Sequence, residues 1–269
     1  MSSQRGARVN KSGRNGTAAP AVIRAAAILS LLADSGVALS LTDISRALGL
    51  AKSSTSNLCG ALEEAGLIQR RDAAFVLGRR VVELGGAYLR SFDIVREFYR
   101  QCADSPILSR ELCQLALLDG THVLYVARHE GRAPLRLSAT IGDRFPASIT
   151  AVGNILLAQL DPAVVADRFR DPASLPRWTE NSVSSVPALQ EKLQRARVRG
   201  YALDDRETNP AVVGVAVLVR PRSSAEEMFG LGASLFGVDS LDARIPDVAA
   251  ELHRVAENLS NPMLLAFGA

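Results

Sequence analysis

Six consecutive residues with basic, hydroxyl and amide side chains open a predicted helix near the N-terminal third of the chain: Lys52, Ser53, Ser54, Thr55, Ser56 and Asn57. An ammonium group at such a helix start can bind phosphate, and hydroxyl groups can bind phosphate or base edges. An asparagine amide can form two hydrogen bonds with an adenine edge. We predict that all six residues face DNA, that Lys52 holds phosphate and that Asn57, with Ser54 or Ser56, reads bases. A solvated helix surface is the alternative for Asn57.

A second candidate site opens another predicted helix at Thr150, Ala151, Val152, Gly153 and Asn154. Free N–H groups at a helix start and the positive end of its dipole attract a carboxylate, and small residues let a ligand approach that backbone. We therefore predict that Ala151, Gly153 and Asn154 contact an acidic ligand. The alternative is that Ser148 or Thr150 only caps the helix.

Signals for catalysis are incomplete. Gly232 to Phe236 resembles the GxSxG turn of serine hydrolases, but Phe236 stands where that turn needs glycine. The sequence contains no GxxxxGKS/T or GxGxxG phosphate loop, no CxxC pair and no HExxH motif. The histidines show no serine partner: His122, His129 and His253. We predict no enzyme, no metal site and no cofactor, and keep an enzyme and a stand-alone DNA-architectural protein as alternatives.

Helices and strands must hold the first candidate site in place. Apolar residues recur at three- and four-residue spacing in three successive segments, and each segment ends near a glycine. A capping-box-like sequence starts the second segment at Ser40. Residues 67–77 then read as two strands around a polar turn that carries Arg70 and Arg71. This order predicts a winged helix-turn-helix over residues 21–80, with both arginines on phosphates.

The segments around this unit have different compositions. Residues 1–20 are basic and almost without large apolar side chains, so we predict a disordered arm. Residues 81–102 predict one linker helix that buries its apolar face against a second copy. Residues 103–269 predict a separate domain in which helices and strands alternate irregularly. Its expected strands are 115–118, 122–128, 135–139, 212–219 and 228–236, and its expected helices are 153–160, 187–199 and 245–259.

Charge divides the chain into two parts. The 269 residues have a formal net charge of +3. Residues 1–90 carry 12 Arg and Lys against 6 Asp and Glu, whereas the remainder carries 19 against 22. A basic module indicates a polyanionic partner, here double-stranded DNA. No apolar run approaches the roughly 20 residues that a spanning helix needs, so we expect a cytoplasmic protein with no membrane partner.

The chain resembles the IclR family of bacterial transcriptional regulators in the order and spacing of short motifs. They are VIRAAAIL (22–29), LAKSST (50–55), LEEAGLI (62–68), FVLG (75–78), LG (84–85), VLYV (123–126), TAVG (150–153), LLA (156–158) and GYALDD (200–205) with Glu207. The resemblance implies an α+β chain with a winged helix-turn-helix, a dimerising linker helix and a GAF-like effector-binding domain. It also implies a homodimer or dimer of dimers on a palindromic operator, and a metabolite that shifts the population of DNA-binding arrangements. Whether the regulator represses or activates stays open.

Aligned positions suggest how the effector site differs from that of relatives. The family commonly has a cysteine where this chain has Gly214 and two serines where it has Ser234 and Phe236. The resemblance places Asp204 and Glu207 at the edge of the pocket, as ligand contacts or in a structural ion pair. We therefore expect a pocket that is larger at Gly214 and more aromatic at Phe236, and an effector that is an aromatic or otherwise bulky carboxylate.

Overall fold

A computed structural model describes residues 19–90, 93–131, 139–221, 226–236 and 241–260. The chain divides into two compact units, Met1–Tyr88 and Leu89–Ala269. The predicted arm lies outside the described residues except for Ala19 and Pro20, as does the strand predicted at residues 135–139 except for its last residue. Among the described residues, no helix combines the length and apolarity needed to cross a bilayer.

The N-terminal unit is a winged helix-turn-helix, as predicted. Its elements are α1 (Pro20–Ser35), β1 (Leu39–Ser40), α2 (Leu41–Leu48), α3 (Lys52–Glu64), β2 (Ile68–Arg71), β3 (Ala74–Leu77) and α4 (Arg79–Arg90). The three strands form an antiparallel sheet in the order β1-β3-β2, so β2 and β3 make the wing and β1 extends it. The turn between β2 and β3 has Asp72 at φ 55°, the left-handed region that Asp tolerates better than most residues.

Capping residues set the ends of the helices in the helix-turn-helix, and a small hydrophobic core packs these helices together. Ser40 accepts a hydrogen bond from the Asp43 backbone N–H while the Asp43 carboxylate accepts from the Ser40 backbone, which is a complete capping box. Gly49 ends α2 in the left-handed conformation, so α3 begins after a tight turn. The helices pack on a shared core whose fully buried members include Ile28, Ile44 and Phe75. These contacts leave the opposite side of α3 free to face a partner.

The C-terminal unit has one six-stranded sheet with helices on both faces. Its elements are α5 (Asp93–Asp104), β4 (Leu112–Asp119), β5 (His122–His129), β6 (Arg144–Pro146), α6 (Ala151–Leu157), α7 (Pro162–Arg168), α8 (Val186–Arg199), β7 (Ala202–Asp205), β8 (Val212–Val219), β9 (Phe229–Phe236) and α9 (Leu241–Ser260). The strand order is β6-β5-β4-β9-β8-β7, with every neighbouring pair antiparallel. Helices α5 and α9 cover one face, whereas α6 and α8 cover the other. This α+β, GAF-like architecture agrees with the prediction.

The predicted linker helix needs a correction. In the structure, the stretch contains α4 and α5, and residues 91 and 92 between them lie outside the described residues. Ile94, Phe98 and Cys102 of α5 are buried in the core of the C-terminal unit. The apolar face of α5 therefore packs against the chain's own sheet and α9, and contact with a second copy stays a prediction for α4. On α4, by contrast, Val82 and Leu84 are exposed.

Candidate functional site

The start of α3 has the properties of an anion-binding helix terminus. Its N-cap is Ala51, which supplies no side-chain hydrogen bond to the first turn. The first backbone N–H that bonds back within the helix is that of Thr55, to the carbonyl of Ala51. The preceding amides, from Lys52 to Ser54, can therefore donate to a phosphate, with the Lys52 ammonium group beside them.

The predicted DNA-facing residues of α3 divide by exposure. Lys52, Ser53, Ser56 and Asn57 are exposed, and Ser54 is half-buried. The inclusion of Thr55 was wrong, because its side chain is fully buried and its hydroxyl donates to the Ala51 carbonyl at 3.1 Å. Helical periodicity turns that position toward the core, where it packs with the apolar face of α3.

The two arginines of the wing have different surroundings. The Arg70 guanidinium lies 4.5 Å from the centre of the Phe75 ring and 3.5 Å from the Glu63 carboxylate. Arg71 is exposed, and in the described part of the chain it makes no ion pair. Arg71 is therefore free to bind phosphate, whereas Arg70 also contributes packing to the wing.

A cavity of about 420 Å³ lies between the sheet of the C-terminal unit and the start of α6. Its wall combines aromatic and aliphatic side chains with several hydrogen-bonding groups. This volume and mixture are typical of small-molecule sites. The lining residues are Leu112, Gln114, Tyr125, Ala139, Phe145, Thr150, Ala151, Val152, Asp204, Thr208, Asn209, Val212, Gly214, Ala233, Ser234 and Phe236.

The structure places most, but not all, of the predicted effector residues in this wall. The wall includes Ala151, Asp204, Gly214, Ser234 and Phe236. Gly153 and Asn154 do not line the cavity, so the prediction that they contact the ligand was wrong, and both have structural roles instead. A Cβ on Gly153 would lie 2.3 Å from the Ala147 carbonyl oxygen, and the Asn154 amide donates to the Thr150 carbonyl at 2.7 Å. Thr150 caps the helix by accepting from the Gly153 N–H at 3.2 Å.

Gly214 lines the cavity and is closely approached by its neighbours. A Cβ at this position would lie 3.1 Å from the Asp204 Cβ and 3.2 Å from the Ala151 Cβ. The missing side chain therefore lets β7 and α6 come close to β8, and a cavity larger than in relatives stays a prediction. The aromatic prediction agrees with the position of Phe236 in the wall, although its role in binding stays a prediction.

Asp204 is the one charged side chain among the described residues that line the cavity. Its carboxylate accepts from the Glu207 N–H at 2.7 Å, from the Thr208 N–H at 3.3 Å and from the Thr208 hydroxyl. Burial raises the pKa of Asp204 to about 6 despite these hydrogen bonds and the nearby Lys192 ammonium group. The group thus titrates near neutral pH and is an acceptor when ionised.

Glu207 does not line the cavity, and it forms a structural ion pair, which was the alternative to a ligand contact. Its carboxylate forms a buried ion pair with Lys192, a partner that the sequence reasoning missed, and accepts from the Val183 N–H at 3.2 Å. The Lys192 ammonium group also donates to the Ser148 carbonyl at 3.2 Å. Burial raises the pKa of Glu207 and lowers that of Lys192, while each partner favours the charged form of the other. This pair ties the loop before α6 to the segment after β7.

The sequence reasoning also missed Gln114, Tyr125 and Phe145. Tyr125 pairs with Ala116 of β4 and shares a face of β5 with Val123, whereas the β-bulge of this strand pair falls between Tyr125 and Ala127. The Tyr125 and Phe145 rings pack edge to face, with centroids 5.6 Å apart. Alternation along the predicted strand 122–128 places Tyr125 on one face with Val123, but the sequence does not show that this face borders the cavity.

Comparisons with known proteins agree with both units. The IclR helix-turn-helix domain matches residues 21–72, and the bacterial transcriptional regulator IclR C-terminal domain matches residues 86–261. The chain belongs to the IclR family. Family members are DNA-binding transcriptional regulators with a C-terminal ligand-binding domain, and the relatives matched here are named as transcriptional regulators.

Individual IclR-family relatives match most of the chain. The HTH-type transcriptional regulator XynR of Escherichia coli K12 is 30% identical over 240 residues, which cover 88% of this chain and 92% of XynR. The crystal structure of the Agobacterium tumefaciens repressor BlcR has a TM-score of 0.57 at 30% identity, covering 91% of this chain and 97% of BlcR. An IclR homologue from Microbacterium hydrocarbonoxydans, solved in complex with 4-hydroxybenzoate, has a TM-score of 0.74 at 23% identity, covering 89% and 97%.

Proposed function

We propose that a small organic acid bound in the C-terminal cavity modulates the binding of this regulator to a roughly palindromic operator. One observation carries the proposal: the same chain combines an exposed, uncapped recognition-helix start with a partly open cavity that has apolar and polar walls. A homodimer or dimer of dimers supplies the paired recognition helices. The effector acts by its differential affinity for two arrangements of those helices.

The exposed groups of the N-terminal unit support the DNA-binding part of the proposal. Lys52 and the free amides of the first turn hold phosphate, and Arg71 holds phosphate from the wing. Asn57 and Ser56 lie one turn further along α3, exposed and able to reach base edges. In this assignment Asn57 reads sequence and the cations set affinity.

The cavity supports an aromatic or otherwise bulky acid. Tyr125, Phe145 and Phe236 offer flat apolar surface, and the volume of about 420 Å³ falls in the usual range for ligand sites. An ionised Asp204 repels a carboxylate, so it accepts a hydrogen bond from a ligand hydroxyl. The Microbacterium homologue bound to 4-hydroxybenzoate is compatible with an aromatic hydroxy acid in this chain.

Calorimetric titration tests the effector class. We expect 4-hydroxybenzoate and benzoate to bind more tightly than glyoxylate and pyruvate, because only the aromatic acids fill the apolar wall. Fluorescence anisotropy with an operator selected from random DNA then shows whether the bound acid changes operator affinity. Tighter binding of glyoxylate or pyruvate would contradict the proposed effector class. An operator affinity that is the same with and without every bound acid would contradict the proposal that the effector modulates DNA binding.

Operator selection tests the DNA-reading part. We expect Asn57→Ala to lose preference at one operator position, with a discrimination of about 1–3 kcal/mol if the amide pairs bidentately with adenine. Glu64→Ala, an exposed change on the last turn of the same helix, is the matched control. An unchanged sequence preference in Asn57→Ala would remove Asn57 from the reading set.

A further inference from the structure

Two buried polar side chains open onto the cavity and are not explained by the fold. Gln114 on β4 and Tyr125 on β5 are 8% and 5% exposed, and both line the cavity. Within the described part of the chain, neither the amide nor the phenol hydroxyl makes a hydrogen bond. Both side chains lie in the cavity wall, where their polar groups can hydrogen-bond to water or to a ligand. The pair therefore offers hydrogen bonds to a ligand that displaces water from this part of the wall.

The strand register places these two side chains together. Gln114 lies two residues from Ala116 on the same face of β4, and Ala116 is the pairing partner of Tyr125 on β5. Diagonal neighbours on adjacent antiparallel strands are close enough for long side chains to meet one ligand group. Tyr125 shares this face of β5 with Val123 by ordinary alternation, and both pack in the core next to α6. One strand pair thus builds a two-point polar site.

The pair offers two neutral donors, an O–H and an N–H. Burial, followed by the charges of Asp204 and Asp143, raises the pKa of Tyr125 well above its usual range. The phenol therefore keeps its proton and can donate to an acceptor. Asp204 is close enough to influence Tyr125, yet no hydrogen bond between the two occurs among the described contacts. Both side chains line the same cavity, so one ligand with polar groups at both ends can contact the two.

We propose that Tyr125 and Gln114 bind the carboxylate of the effector, while Asp204 accepts a hydrogen bond from a hydroxyl group of the same molecule. The assignment rests on the proposed function and adds the ligand's orientation. A carboxylate is an acceptor only, so it suits the donor pair, and it is kept away from the acidic end of the cavity. The preferred effectors are therefore hydroxylated aromatic acids.

Calorimetry with purified full-length variants tests the orientation. The probes are 4-hydroxybenzoate and the neutral 4-hydroxybenzamide, which keeps the ring and hydroxyl but loses the charge. We expect the wild-type protein to prefer the acid, and Tyr125→Phe to bind the acid about 10- to 100-fold more weakly with a smaller change for the amide. Gln114→Leu should act in the same direction. Tyr201→Phe is the matched control, since its hydroxyl lies outside the cavity wall.

The outcomes separate this assignment from the proposed function. Equal affinity of the wild-type protein and Tyr125→Phe for the acid would overturn the assignment, as would a wild-type protein that binds the amide as tightly as the acid or binds neither. Operator binding, measured separately by anisotropy, would still report on the regulator. Phenylalanine keeps the ring that packs on Phe145, and circular dichroism checks that the variant folds. If Tyr125→Phe does not fold, Gln114→Leu decides the question.

Discussion

The two units of this protein place their polar side chains in opposite environments. On α3, Lys52 and Asn57 are exposed, and their partners must come from another molecule. In the C-terminal unit, the Asp204 side chain is buried and hydrogen-bonded within the chain, and Lys192 and Glu207 form a buried ion pair. Water screens charges on the first surface, whereas the second is a low-dielectric interior. Substitutions should therefore change binding in the first region and stability in the second.

The largest expected effect sharpens this contrast at the buried ion pair. Lys192→Met leaves the Glu207 carboxylate buried without its counter-charge, so we expect the free energy of unfolding to fall by about 3–5 kcal/mol. Arg80→Met removes the exposed partner of Glu83 and should cost at most about 1 kcal/mol. Urea denaturation of both variants measures the difference. Equal losses would break the distinction between the two regions.

A smaller loss is expected where α6 packs against the preceding loop. In Gly153→Ala the added methyl would overlap the Ala147 backbone, so something must move, and we expect a destabilisation of about 3 kcal/mol. Gly60→Ala on α3 meets no atom within 4 Å and should stabilise its helix by up to about 1 kcal/mol. Thermal unfolding of the two variants should show opposite signs. A wild-type melting curve for Gly153→Ala would contradict a steric role for the missing side chain at this position.

The pH dependence of stability should come partly from Asp204. Its folded pKa of about 6 lies above the unfolded value of 3.8, so its contribution to the free energy of unfolding is greatest below pH 4 and is lost as pH rises through 6. We expect a loss of about 2 kcal/mol over this window. Subtracting the pH profile of Asp204→Asn from that of the wild-type protein isolates the contribution. Parallel profiles would mean that Asp204 does not titrate there.

The smallest effect on stability belongs to the exposed wing. Arg71→Ala should leave the free energy of unfolding within about 0.5 kcal/mol, because the residue is exposed. It should weaken binding to all DNA sequences alike and lower the salt slope by about one unit. Arg70→Ala is the comparison, since it also loses the contact with Phe75 and should destabilise the wing. Loss of sequence preference in Arg71→Ala would contradict its assignment to phosphate.

The sequence predicted the N-terminal unit better than the C-terminal unit, for reasons visible in single residues. The capping box at Ser40 and the glycine at 49 are local signals, and the structure contains both. Short elements such as β6, β7 and α7 were not predicted, because three to seven residues carry too little periodicity. Thr55 was assigned to the DNA face from its type, yet helical spacing turns it inward.

By itself, the sequence determined the helix-turn-helix and its wing, the exposed cations of the first unit and the α+β class, since propensity, capping and hydrophobic period act between near neighbours. Tertiary structure alone decided which polar groups share a cavity. Gln114 and Tyr125 come from the β4–β5 hairpin, whereas Asp204 comes from β7, a distant part of the chain at the opposite end of the sheet. Strand pairing and register bring such residues together, and both depend on contacts between distant segments.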